Sequence, residues 1–177
     1  GAPAVGGRRG SFERPTRSQV LGLIGACLGL DRADDEGQAA LAAGYGLAIR
    51  AEASGRLLPD YHTAQVPPTR RGRRFATRAE ELAADDLATV LSRRDYRTDA
   101  WHLAALWTEV EARWPLSEIG EAMRRPHFTL SLGRKSCPLG LPLAPSLVVA
   151  DDPVAALAMR AADGPEQAFQ SSLLGMV

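Results

Sequence analysis

Residues 66–78 read VPPTRRGRRFATR, with two adjacent prolines, five arginines and no acid. Unpaired charges are excluded from a core, and prolines lack the N–H groups that a helix interior or a central strand needs. This segment must stand outside the core, exposed and mobile, and the core must come from the sequence on either side. Upstream, Tyr45, Leu47 and Ile49 alternate with Gly46, Ala48 and Arg50. Downstream, Trp101, Leu103, Ala105 and Trp107 share one face within residues 96–107. Both have the period of a strand. The basic segment is therefore expected to lie in an insertion between two strands, a thumb projecting over about residues 66–94.

Helical spacing accounts for much of the remainder. Thr16 or Ser18 can cap a helix whose apolar positions are Val20, Leu21, Leu23, Ile24, Cys27 and Leu28, with Gly29 as its stop. Gly22 and Gly25 inside it each cost up to ~1 kcal/mol of propensity, which points to close packing, as against a sheet. Asp34–Glu36 open a second short helix reaching about Ala43, and Leu82, Leu87 and Leu91 have helical spacing within 79–91. Leu116–Arg125 form a short helix stopped by Pro126. His127–Leu132 alternate as a strand, with Phe128, Leu130 and Leu132 on one face. A last helix covers roughly 153–162. Residues 1–15 read as an irregular basic lead-in, and residues 163–177 as a tail without pattern. The order is helix, strand, insertion, strand, helix, strand. It matches an α+β, ferredoxin-like βαββαβ unit lacking its first strand, in one domain over 1–162. Such a fold leaves one sheet face free, a common platform for RNA.

The formal net charge is zero, but the charge is segmented. Residues 1–17, 56–97 and 120–140 each come to +3, and residues 31–55, 98–119 and 141–177 each to −3. Three basic segments converging on one face would attract phosphate whatever the total. Twenty of the 21 cations are arginine, whose planar fork grips phosphate and stacks on bases; Lys135 is the exception. No apolar run approaches the ~20 residues of a membrane span. No targeting segment is visible, so a cytoplasmic protein is expected. Cys27 and Cys137 stand 110 positions apart and read as free thiols, and three scattered histidines give no metal-ligand spacing. No phosphate-cradling glycine loop, dinucleotide fingerprint or nucleophile elbow occurs, so no cofactor or metal is expected.

Five short motifs carry chemistry. Thr16, Arg17 and Ser18 at a helix start make either a phosphate seat or a simple cap. Tyr61, His62, Thr63 and Gln65 alternate along an extended stretch and suit stacking on a base and bonding its edge, or a plain strand edge. Arg70, Arg71, Arg73 and Arg74 would neutralise several phosphates, or form a solvated loop. Arg93, Arg94 and Tyr96, and then Arg134, Lys135 and Ser136, set basic forks beside hydroxyls at strand edges. If the 93–96 segment is extended, Arg93 and Arg94 point opposite ways.

The segments PTRSQVLGLIGACLGL (15–30), DYHTAQ (60–65), SRRDYRTDA (92–100) and LGRKSCPLGLPL (132–143) occur in this order. Together they resemble the CasD family, the Cas five subunit of the type I-E CRISPR surveillance complex Cascade, in the RAMP superfamily. The resemblance runs from about residue 1 to 157. It implies a ferredoxin-like core with an inserted thumb. It also implies a non-catalytic RNA-binding role in antiviral defence, holding the 5′ handle of the CRISPR RNA. Backbone and large Cascade subunits are the expected protein partners, with target DNA met only through the complex and no membrane. It further implies that Arg94 reaches a base near the handle–spacer junction. Relative to the family, the first strand and the final strands are absent here. The alternative function is a metal-independent endoribonuclease acting on repeat RNA through Tyr61, His62 and Lys135.

Overall fold

A computed structural model of the chain describes residues 4, 5, 7–68 and 74–159. The chain divides into two compact units, Gly1–Ser11 with Leu57–Tyr96, and Phe12–Arg56 with Arg97–Val177. The described elements run β1 (Ala4–Val5), β2 (Arg8–Arg9), α1 (Arg17–Leu28), α2 (Asp35–Gly44), β3 (Tyr45–Val66), α3 (Arg78–Leu82), β4 (Ala88–Thr108), α4 (Leu116–Arg124) and α5 (Pro153–Met159). The strands form one sheet in the order β1-β2-β4-β3. The two long strands contribute to both units.

The second unit holds the apolar core. Ile24, Leu41, Tyr45 and Ile119 are each at most 2% exposed and cluster with Val20 and Leu21. Each such side chain contributes roughly 1.5–3 kcal/mol on leaving water. Helix α1 follows from its sequence at both ends. Thr16 Oγ1 accepts from the Gln19 amide while Gln19 Oε1 accepts from the Thr16 amide at 2.8 Å, a reciprocal capping box. Gly29 ends the helix at φ 78°, and a Cβ there would stand 2.9 Å from the His127 ring. Of the two internal glycines, Gly25 faces Leu41 of α2, where an added Cβ would make ordinary contact, and Gly22 faces open space. The elements packed most closely against α1 are thus the helices α2 and α4 rather than the sheet. Residues 139–148, without regular structure, border an apolar cavity of about 440 Å³ with Leu23, Ile24, Leu106 and Met123.

Four expectations need correction. The lead-in is not wholly irregular, since it carries β1 and β2. The helix expected over 79–91 shortens to Arg78–Leu82, because Asp85 and Asp86 form a turn and β4 begins at Ala88. Residues 60–65, assigned to no element, belong to β3. The strand expected over 127–132 is not formed; only Ser131 and Pro138 make an isolated bridge. The amides of His127 and Phe128 instead donate to the Cys27 and Ala26 carbonyls, at 3.1 Å each. Those carbonyls end a helix and have no partner within it, so they capture the passing chain. Helix α5 is described only to Met159, and the tail over 163–177 lies outside the described residues.

Candidate nucleic-acid interface

In the first unit, Arg8 and Arg9 of β2 run parallel to β4, opposite Arg93 and Arg94. Four arginines side by side would repel, and one acid answers them. Asp95 is 1% exposed. It receives Arg8 Nε and Nη2 at 2.9 and 2.8 Å on one oxygen, and Arg93 Nε at 3.3 Å on the other. The bond from Arg8 is the main reason its carboxyl is held below the usual carboxylate range. Arg93 is therefore committed to the fold. Arg94 Nε, in contrast, is buried and has no hydrogen-bond partner among the described residues. A buried guanidinium nitrogen without an acceptor is costly, and an incoming oxygen or ring nitrogen would relieve it.

The Asp95 cluster makes a pH prediction. A carboxyl with a depressed folded pKa adds stability above the unfolded value of 3.8, and that stability disappears as pH falls through the folded value. Thermal melts should show an acid-side loss in the wild type that is missing from Asp95→Asn. Parallel melting curves for the two proteins through that range would count against the cluster as a stabilising element.

Still in this unit, Tyr61, Thr63 and Gln65 are exposed on β3, whereas His62 is half-buried. His62 Nε2 lies 2.6 Å from Asp60 Oδ2, close enough for an ion pair but without hydrogen-bond alignment. Arg78 Nη2 donates to the Gln65 carbonyl. Arg74 is exposed and Tyr96 half-buried. Arg70, Arg71 and Arg73 lie outside the described residues. Read off the sequence, the first unit carries nine arginines and six acids, net +3.

The second unit brings two of the sequence motifs together. Gly133, at φ 84°, opens the basic turn, and a Cβ there would fall 2.6 Å from Gln19 Nε2. The positive φ favours glycine at this position, and the turn lies against the Gln19 side chain in the first turn of α1, so Arg134, Lys135 and Ser136 share a locale with Thr16, Arg17 and Ser18. Arg17 donates from Nη2 to the Ala42 and Tyr45 carbonyls at 2.8 and 2.6 Å, steadying the C-terminal end of α2. Ser18 and Lys135 are exposed, and Arg134 is half-buried. Gln19 and Gly133, which build this juxtaposition, were not among the expected site residues. The Thr-x-x-Gln spacing signals Gln19; no local pattern signals its meeting with Gly133.

The three residues of the endoribonuclease alternative gain little from this geometry. Tyr61 and His62 are adjacent on a strand and project to opposite faces. Both cysteines are free thiols; Cys27 is buried, and burial pushes its pKa up to about 11. Among the described residues no cluster could hold a metal ion, and no helix is long and apolar enough to cross a membrane.

The family described as CRISPR-associated protein (Cas_Cas5) matches residues 1–175. The CRISPR system Cascade subunit CasD of Escherichia coli (strain K12) is 34% identical over 165 residues, covering 89% of this chain and 69% of that protein. Among solved structures, a CRISPR RNA-guided surveillance complex contains a chain that matches with a TM-score of 0.56 and 26% identity, over 78% of this chain and 54% of that one. A second, a crystal structure of a Cas protein, matches with a TM-score of 0.52 and 28% identity, over 83% and 57%. The chain thus spans little more than half the length of these solved chains.

Proposed function

The chain belongs to the CRISPR-associated protein (Cas_Cas5) family, and we propose from this that it is an RNA-binding subunit of a Cascade-type surveillance complex acting in the cytoplasm. It would hold the 5′ handle of the guide RNA without cutting it, beside the backbone and large subunits, and meet target DNA only through the assembly. The observation that carries this reading is the 34% identity to a Cascade subunit over 165 residues. The solved match within an RNA-guided surveillance complex, and the net +3 of the first unit, support it. A ferredoxin-like RAMP core with an inserted thumb is the fold we propose for the chain. The expected contacts are Thr16, Arg17, Ser18, Tyr61, His62, Thr63, Gln65, Arg74, Arg94, Tyr96, Arg134, Lys135 and Ser136, together with Arg70, Arg71 and Arg73; Arg93, a contact expected from the sequence, is instead held by Asp95.

Co-expression with the other subunits and a CRISPR array tests the reading. CRISPR RNA with an intact handle should co-purify, and replacing the handle nucleotides should abolish retention while the RNA stays uncut. Retention indifferent to the handle would overturn the assignment. Metal-independent cleavage of repeat RNA by the purified chain, lost in His62→Ala, would move it to the endoribonuclease class.

A further inference from the structure

We infer that the outward face of β3 over residues 57–65 is a stacking platform for one unpaired RNA base, centred on Tyr61; this rests on the RNA-binding reading above. Successive strand residues face opposite ways, so Leu57, Pro59, Tyr61, Thr63 and Gln65 share a face. All five are exposed. Tyr61 is 70% exposed, in the middle of a 22-residue strand. On the other face Asp60 and His62 are half-buried, with His62 Nε2 2.6 Å from Asp60 Oδ2. The Gln65 carbonyl accepts from Arg78, which ties the end of the strand to α3.

An aromatic ring gains its energy when its faces are covered, and among the described residues this one is left 70% exposed. What covers it is identified by the surroundings. The face is apolar at Leu57 and Pro59 and polar beyond the ring, where Thr63 offers a hydroxyl and Gln65 an amide. Those groups bond the edge of a base whose plane lies on the ring. The unit's net +3 complements a polyanion. A base within a duplex has both faces already stacked, so the platform selects single strands.

Fluorescence anisotropy with two probes tests this on the full chain: an oligoadenylate of about a dozen nucleotides, and inorganic polyphosphate as a polyanion without bases. Tyr61→Ala is expected to lower oligoadenylate affinity about tenfold, the scale of one base–aromatic stack, and to leave polyphosphate affinity and the salt slope unchanged. Tyr61→Phe should retain wild-type affinity. Equal oligoadenylate affinity for wild type and Tyr61→Ala would overturn the platform. Equal losses on both probes would also overturn it, since the ring would then act through charge or fold. A wild type that bound neither probe would overturn the RNA-binding reading itself. Loss of a co-purifying subunit with RNA binding intact would reassign Tyr61 to a protein interface.

Discussion

Arg94→Ala should lower guide-RNA affinity about 10- to 100-fold and leave the melting temperature in place, whereas Arg93→Ala should do the reverse. The two residues are neighbours of one type, and the sequence distinguishes them only by strand alternation. The structure separates them by commitment. Arg93 reaches Asp95, which also receives Arg8, so its loss leaves a nearly buried carboxylate with one cation instead of two. Arg94 has a buried Nε without an acceptor among the described residues. Removing it takes away an unmet demand, so folding should tolerate the change. If a base supplies the missing acceptor in the complex, the same substitution costs a hydrogen bond to a charged group. Lysine cannot reproduce a planar fork, so Arg94→Lys should restore only part of the affinity. Both quantities belong on each variant. An Arg94→Ala protein with unchanged RNA affinity and a lowered melting temperature would make Arg94 a structural residue, and the proposed base contact would fall.

What the sequence discloses depends on whether a residue's partner is near it in the chain. Helix α1 was legible because its apolar period, its Thr-x-x-Gln start and its glycine stop are all local. The inner halves of β3 and β4 were legible as strands because large apolar side chains recur there at every second residue, although burial does not alternate and the β4 side chain on the core is Leu106, outside the expected face. The outer half of β3 was not, because every residue on the 57–65 face is exposed and no hydrophobic contrast marks the period. Leu82, Leu87 and Leu91 mimicked a helical face, yet Leu82 and Leu91 are 44% and 60% exposed and a turn separates them. The alternation of 127–132 mimicked a strand, but the backbone there answers the orphan carbonyls of α1, a demand no side-chain pattern records. The Arg8–Asp95 pair joins residues 87 positions apart, and only the fold reveals which of the many arginines is bonded. The motif at 16–18 and the turn at 134–136 were each legible alone; their meeting through Gly133 and Gln19 was not.

Tyr45 is the residue whose loss should cost the second unit most. It is 1% exposed. Its hydroxyl donates to the Trp114 carbonyl and accepts from the Trp114 amide at 2.7 Å, so one side chain satisfies both backbone groups of a residue 69 positions away. Tyr45→Ala removes a packed ring at about 3–5 kcal/mol, a large part of the ~5–15 kcal/mol that folded domains possess. Tyr45→Phe keeps the ring but strands the two backbone groups, at about 1–3 kcal/mol. The phenol also makes stability depend on alkaline pH. Burial raises its pKa above the ordinary value of 10.0, with the Glu118 charge adding to the rise and the Trp114 bond opposing it. A group whose folded pKa is raised contributes fully below the unfolded value, and the contribution is lost as pH rises through the folded one. Chemical denaturation repeated from neutral to strongly alkaline pH should therefore show an alkaline loss in the wild type that Tyr45→Phe lacks. A Tyr45→Phe protein as stable as the wild type at neutral pH would mean that the Trp114 backbone finds other partners, and the bridge would have no energetic role.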